Sequence, residues 1–185
     1  MAYTISNPQI GFTALTDIDS GIIPANNANT GSTTTIPKPP MARGMVITAV
    51  DPTYGGGEFI LLAGAASTVV GSLVTYNSVT YVTTLAPITG ANLASPVAVA
   101  MSANASSTTW GWYQIGGAAV IKKPAVKALP TNSIFLSTTA GRVRTSAYSG
   151  RQVLGAKTVN STTVTTTTST VTVMLDRPHL QGQII

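Results

Sequence analysis

From Arg43 onward the apolar residues come in short runs, divided by Gly, Pro, Asn and Ser. That spacing belongs to β-strands and turns rather than helices. Residues 45–50 (MVITAV) read as a first strand, ended by Asp51-Pro52, with Gly55-Gly56-Gly57 as a turn and residues 58–63 as a second strand. Residues 69–76 and 79–85 flank Asn77-Ser78 as a hairpin, which sets Val74 and Tyr76 across from Val79 and Tyr81. Residues 96–101 form a further strand, and 110–121 form either two strands or one bent at Gly116-Gly117. Residues 134–137 and 142–145 enclose 138–141 as a second hairpin, and 152–159 and 164–175 complete the set. Between 170 and 175 hydroxyl and apolar residues alternate, putting Val171, Val173 and Leu175 on one face. Thr is β-branched, and its hydroxyl lets a sheet face water without charge. The 3.6-residue period of a helix is missing, beyond a short helical turn expected at 91–94 or 102–107. The expected fold is mainly β, a small β-barrel or β-sandwich of short antiparallel strands over residues 41–185.

Residues 1–40 have another character and read as an extended, low-complexity N-terminal arm. The segment 24–40 (PANNANTGSTTTIPKPP) is rich in Asn, Thr and Pro and has no helical or strand period. A flexible linker accounts for that composition. An arm that orders on a neighbour accounts in addition for the apolar anchors Tyr3, Ile5, Ile10, Phe12, Leu15, Ile18, Ile22 and Ile23. Tyr3, Ile5, Ile10, Phe12, Lys38 and Arg43 are the candidate neighbour contacts.

Composition sharpens the picture. Of 185 residues, 10 are Lys or Arg and 5 are Asp or Glu; 44% are hydrophobic and about thirty are Thr. An ordinary domain is about 25% charged, against 8% here. Normal apolar content argues against disorder throughout, and scarce Glu, Lys, Leu and Arg argue against a coiled coil. The absence of Cys excludes a disulfide scaffold. A solitary soluble domain usually carries roughly 25–35% charge on its surface, so the outside here is either neutral and hydroxyl-rich or largely covered by partners. No cationic segment followed by an apolar run opens the chain, so no secretory signal is expected. The longest apolar stretch, 59–74, falls short of the roughly 20 residues of a membrane span. The sequence reads as that of a soluble protein made in the cytoplasm.

Candidate chemistry is thin. The titratable acids are Glu58, Asp17, Asp19, Asp51 and Asp176, and His179 is the one histidine. Asp176-Arg177-Pro178-His179 joins an acid to an imidazole, but no G-x-S-x-G accompanies it. It reads as a strand end stopped by Pro178 with Asp176 and Arg177 at the surface. Asp17 and Asp19 read as a solvated turn, and Gly55-Gly56-Gly57 lacks the Lys-Ser/Thr of a phosphate loop. No catalytic, metal or cofactor-binding residue is expected, and no cofactor or small-molecule substrate. Lys122, Lys123, Lys127, Arg142, Arg144, Arg151 and Lys157 place most positive charge in the second half. They are sparse for tracking phosphates and match no nucleic-acid motif; docking on an acidic protein surface fits them better. Trp110, Trp112 and Tyr113 form the densest aromatic cluster, with both Trp on one face of a strand. Core packing explains them, as does an oligomer-interface hot spot; carbohydrate stacking is a third use.

The segments GEFILLAGAASTVVGSLVTY, SPVAVAMSANASSTTWGWYQIGGAAVIKK, IFLSTTAGRVRT, RQVLGAKTVNSTT and TSTVTVMLDRPH, covering roughly residues 57–180, resemble small head-decoration (capsid cement) proteins of tailed bacteriophages. The likeness lies in Ala/Val/Thr/Gly content, short strands and segment order. It implies a non-enzymatic virion protein, made in the host bacterial cytoplasm and seated on the outer capsid surface. Its partners would be the major capsid protein and itself, as a homotrimer, with no nucleic acid and no membrane. The alternative is a phage fibre or spike domain that binds host-surface glycans, with Trp110, Trp112 or Tyr113 as the stacking platform.

Overall fold

The computed structural model describes residues 4–5, 23–24, 43–88 and 93–182. Every regular element among them is a strand. The arm contributes β1 (Thr4–Ile5) and β2 (Ile23–Pro24). Then come β3 (Val46–Asp51), β4 (Gly55–Ala63), β5 (Leu73–Tyr76), β6 (Thr83–Leu85) and β7 (Val97–Ala100). The long β8 (Thr109–Lys122) is followed by β9 (Ser133–Leu136), β10 (Val143–Arg144), β11 (Gln152–Thr158) and β12 (Thr170–Leu180). The path runs β1-β3-β4-β8-β12-β11-β9-β10; β2 and β7 also pair β8, and β5 joins β6 to β7. The antiparallel sheet curls into a half-barrel, so the mainly β, barrel-like expectation holds.

β8 is the spine, and it is one bent strand rather than two. At the bend Gly117 has φ +85°, and a Cβ there would lie 2.2 Å from the Gly56 carbonyl oxygen, so only glycine fits. Pairing with β4 shifts between Glu58 and Phe59. The buried Gln114 amide donates to the carbonyl oxygens of Gly116 and Ala118, each at 3.0 Å, and so satisfies backbone that the bend frees.

On one side of the bend, β4 and β8 are buried on both faces. Phe59, Leu61, Trp110 and Trp112 pack one way with Met101. Ile60, Leu62, Tyr113 and Ile115 pack the other way with Val74. On the other side the core is aliphatic: Ala119 and Ile121 meet Val171, Val173, Leu175, Ile134 and Val153. There β12 presents one buried face, as its alternation indicated.

Local side-chain chemistry moves several expected boundaries. The Asn77 carboxamide oxygen accepts from the Val79 and Thr80 N–H groups at 2.8 and 2.9 Å, making a turn that consumes 77–80. Tyr76 therefore pairs Thr83 and Val74 pairs Leu85; Val79 and Tyr81 stand outside the ladder, with Val79 84% exposed. The first turn is 52–54, where Asp51 Oδ1 accepts from Thr53 and Tyr54 N–H groups, and the three glycines open β4 instead. The 102–107 segment is not helical; the 91–94 turn falls partly outside the described residues. The hairpin of β9 and β10 is as expected, with Leu136 opposite Val143. The last strand starts at Thr170 rather than 164, since Val164 makes only a bridge to Ala128. Pro178 does not end it. Asp176, Arg177 and Pro178 bulge against Gly155, a place where a missing N–H costs no ladder bond, and pairing resumes at His179 with Leu154.

Candidate functional site

The β12 bulge shapes the outer face of the β3-β4-β8-β12 sheet. It turns Arg177, at φ +41°, over β4, where its Nε donates to Glu58 Oε2 at 3.1 Å. Glu58 holds the guanidinium charge and raises its pKa further. Between this pair and β3 lies a groove of about 530 Å³ with Thr48, Val50, Gly116 and Asp176 in its lining. Of its two carboxylates, Glu58 is paired with Arg177 and Asp176 is exposed on β12, and no imidazole lines it. Asp176 and His179 are exposed on β12, and no hydrogen bond joins them. Among the described residues no group of three or more His, Asp or Glu gathers. The groove offers backbone edges, the Glu58–Arg177 ion pair and the Asp176 carboxylate.

Trp110, Trp112 and Tyr113 are inside the molecule, at 3%, 1% and 0% exposure. The two indoles share a face, as their spacing required, and Tyr113 points to the opposite cluster. Burial pushes the Tyr113 phenol up to about 12. Its hydroxyl lies 3.3 Å from the Asn104 side-chain amide, which also holds Thr109. No ring of the three offers a face to a sugar. Arg43 lays its guanidinium 4.8 Å from the centre of the Trp110 ring, so this candidate contact is engaged with the chain's own core.

Among the described residues the arm pairs with the domain at two points. Thr4 and Ile5 pair with Val50 and Ala49 at the β3 edge, and Ile23 and Pro24 pair with Trp110 and Thr109. Two-residue strands carry no readable period. Tyr3, Ile10, Phe12, Leu15, Ile18, Ile22 and Lys38 lie outside the described residues, as do Asp17 and Asp19.

The basic residues divide. Lys123 is 1% exposed, and its Nζ donates to the carbonyl oxygens of Val126 and Thr165 at 2.8 Å and of Pro124 at 3.4 Å. It clamps two loops and is not available for docking; burial lowers its pKa. Arg144 and Arg151 instead gather at the half-exposed Tyr148, with guanidinium carbons 5.7 and 4.1 Å from the ring centre. Tyr148 was not among the residues singled out from the sequence, because its meeting with Arg144 and Arg151 is made by the loop between β10 and β11.

No protein-family model matches the chain, and no curated protein matches it in sequence. Among the described residues no helix is long and apolar enough to cross a membrane.

Proposed function

We propose that the chain is a structural virion protein of a tailed bacteriophage that binds the outside of the assembled capsid, as a homotrimer, and cements neighbouring major capsid proteins. The observation that carries this reading is the outside of the domain. Val46, Val50, Val69, Val70, Val79, Leu129 and Met174 are all at least 40% exposed on a chain with 8% charge. Single exposed apolar residues are ordinary on any protein, but their coincidence with so little charge fits a surface shared with partners, because interface cores are depleted in charge. The likeness of residues 57–180 to decoration proteins points the same way. The mechanism is mass action: a subunit that binds only correctly placed shell proteins stabilises that placement, by about 2.7 kcal/mol per site at a hundredfold excess over Kd. No catalytic step is assigned.

Burial of all three aromatic candidates weighs against the fibre or spike reading. The test is co-sedimentation of the purified full chain with undecorated shells of its phage, beside a glycan array. Saturable binding to shells with a blank array is expected. A specific glycan signal without shell binding would replace the cement reading by the spike reading.

A further inference from the structure

Between Glu58 and Asp176 the chain has seven cations and no acidic residue. One of the seven, Lys123, is consumed inside. The structure concentrates others at one corner. Arg144 and Arg151 approach the same Tyr148 ring at 5.7 and 4.1 Å, which brings the two guanidinium groups within about one Debye length, about 10 Å, of each other. Neither has a carboxylate partner among the described residues, and Arg144 Nε is buried there with no hydrogen-bond partner. The neighbouring loop is fastened alongside: Thr145 Oγ1 accepts from Leu129 N–H at 3.2 Å and donates to the Lys127 carbonyl oxygen at 3.4 Å. This sets the backbone of Lys127 and of the 47% exposed Leu129 against Thr145, the residue next to Arg144.

We infer that Lys127, Leu129, Arg144, Tyr148 and Arg151 form a docking surface for a carboxylate-rich segment of another protein. β10 ends the sheet path, and cations on an edge strand also discourage strand pairing. Edge protection needs only charge, whereas here the guanidinium groups are oriented by an aromatic ring and accompanied by exposed Leu129. Arg and Tyr are the residue types enriched in interface hot spots, and the guanidinium fork matches a carboxylate in two-point geometry. A nucleic-acid track would call for more cations along a path and rings free for bases. Tyr148 is instead occupied by two arginines. The inference stands on the isolated chain and does not depend on shell binding.

The test uses the full chain with a fluorescent oligoglutamate peptide and, separately, a DNA oligonucleotide of equal charge, at about 0.15 M ionic strength. The peptide is expected to bind more tightly than the DNA. Arg144→Ala/Arg151→Ala is expected to weaken peptide binding about tenfold or more, and Tyr148→Ala several-fold. Lys122→Ala/Lys157→Ala removes the same charge elsewhere and is expected to change binding less than about twofold. An equal loss in that control, no peptide binding, or tighter binding of the DNA would overturn the inference. Should the alanine pair unfold, Arg144→Lys/Arg151→Lys keeps the charge but not the fork. It is expected to bind several-fold more weakly, and undiminished binding would count against the proposal.

Discussion

The two halves of β8 were built from one strand and ended up in different environments. From Trp110 to Ile115 every residue is buried, with alternate side chains feeding clusters on opposite faces. Beyond Gly117 one face stays buried in Ala119 and Ile121, while the other, still buried at Ala118, opens at Val120 and Lys122, which are only partly covered. The aromatic mass lies in the first half, and Lys122 and strand β12, which follows the threonine-rich 162–169 loop, lie with the second. A strand buried on both faces has no face to spare for a partner. One buried on a single face leaves its other side for recognition. The proposed acid-binding corner lies on the same aliphatic side, at the far end of the sheet around Arg144 and Arg151.

The bend that separates the halves gives the largest expected effect. Gly117→Ala forces a Cβ against the Gly56 carbonyl at a left-handed φ. It is expected to cost about 3–5 kcal/mol in urea unfolding; an unchanged midpoint would mean that the halves tolerate another junction. Next comes the contrast between cores. Trp112→Ala is expected to cost about 3–5 kcal/mol and Val173→Ala about 2 kcal/mol, and equal losses would erase the distinction drawn between the two sides.

Alkaline pH sharpens the comparison further, because Tyr113 belongs to the doubly buried half. Its phenol is raised from 10.0 to about 12 in the folded chain. Below pH 10 both states hold the proton, and the full stability is present. Above it the unfolded chain releases its proton first, so stability falls as pH rises through about 12. About 2–3 kcal/mol is expected to be lost across that window. Tyr113→Phe should flatten this part of the pH profile, and a profile identical to that of the parent chain would show that the phenol titrates no differently when folded. The smallest effect concerns the second half. Lys123→Met leaves the carbonyls of Val126 and Thr165 without their donor. A loss of about 1–2 kcal/mol, with faster amide exchange confined to the 124–128 and 160–169 loops, is expected.

The difference between the halves also decided what could be read in advance. Val171, Val173 and Leu175 fall at every second position, the first two alternating with Thr170 and Thr172, and that period placed them correctly on the core face. The glycine pair at 116–117 marked the bend. Trp110 and Trp112 had to share a face, but spacing says nothing about whether that face is inside or outside. Elsewhere a single side chain overrode the pattern. Asn77 took four residues into its turn, Asp51 captured two N–H groups ahead of the glycines, and the bulge opposite Gly155 carried β12 past Pro178. Lys123 looked like its surface-bound neighbour Lys122 because its acceptors are backbone carbonyls, one of them 42 residues away. The meeting of Arg144, Tyr148 and Arg151 depended on a loop conformation that no periodicity encodes.

On the proposed function this charge-poor domain does its work on a shell. The most direct measurement is the temperature at which packaged DNA escapes from phage particles stripped of this chain and then resupplied with it. A rise that saturates with added protein is expected, since binding the closed shell alone opposes its opening. Particles that bind the chain to saturation yet release DNA at the same temperature would contradict the cementing role.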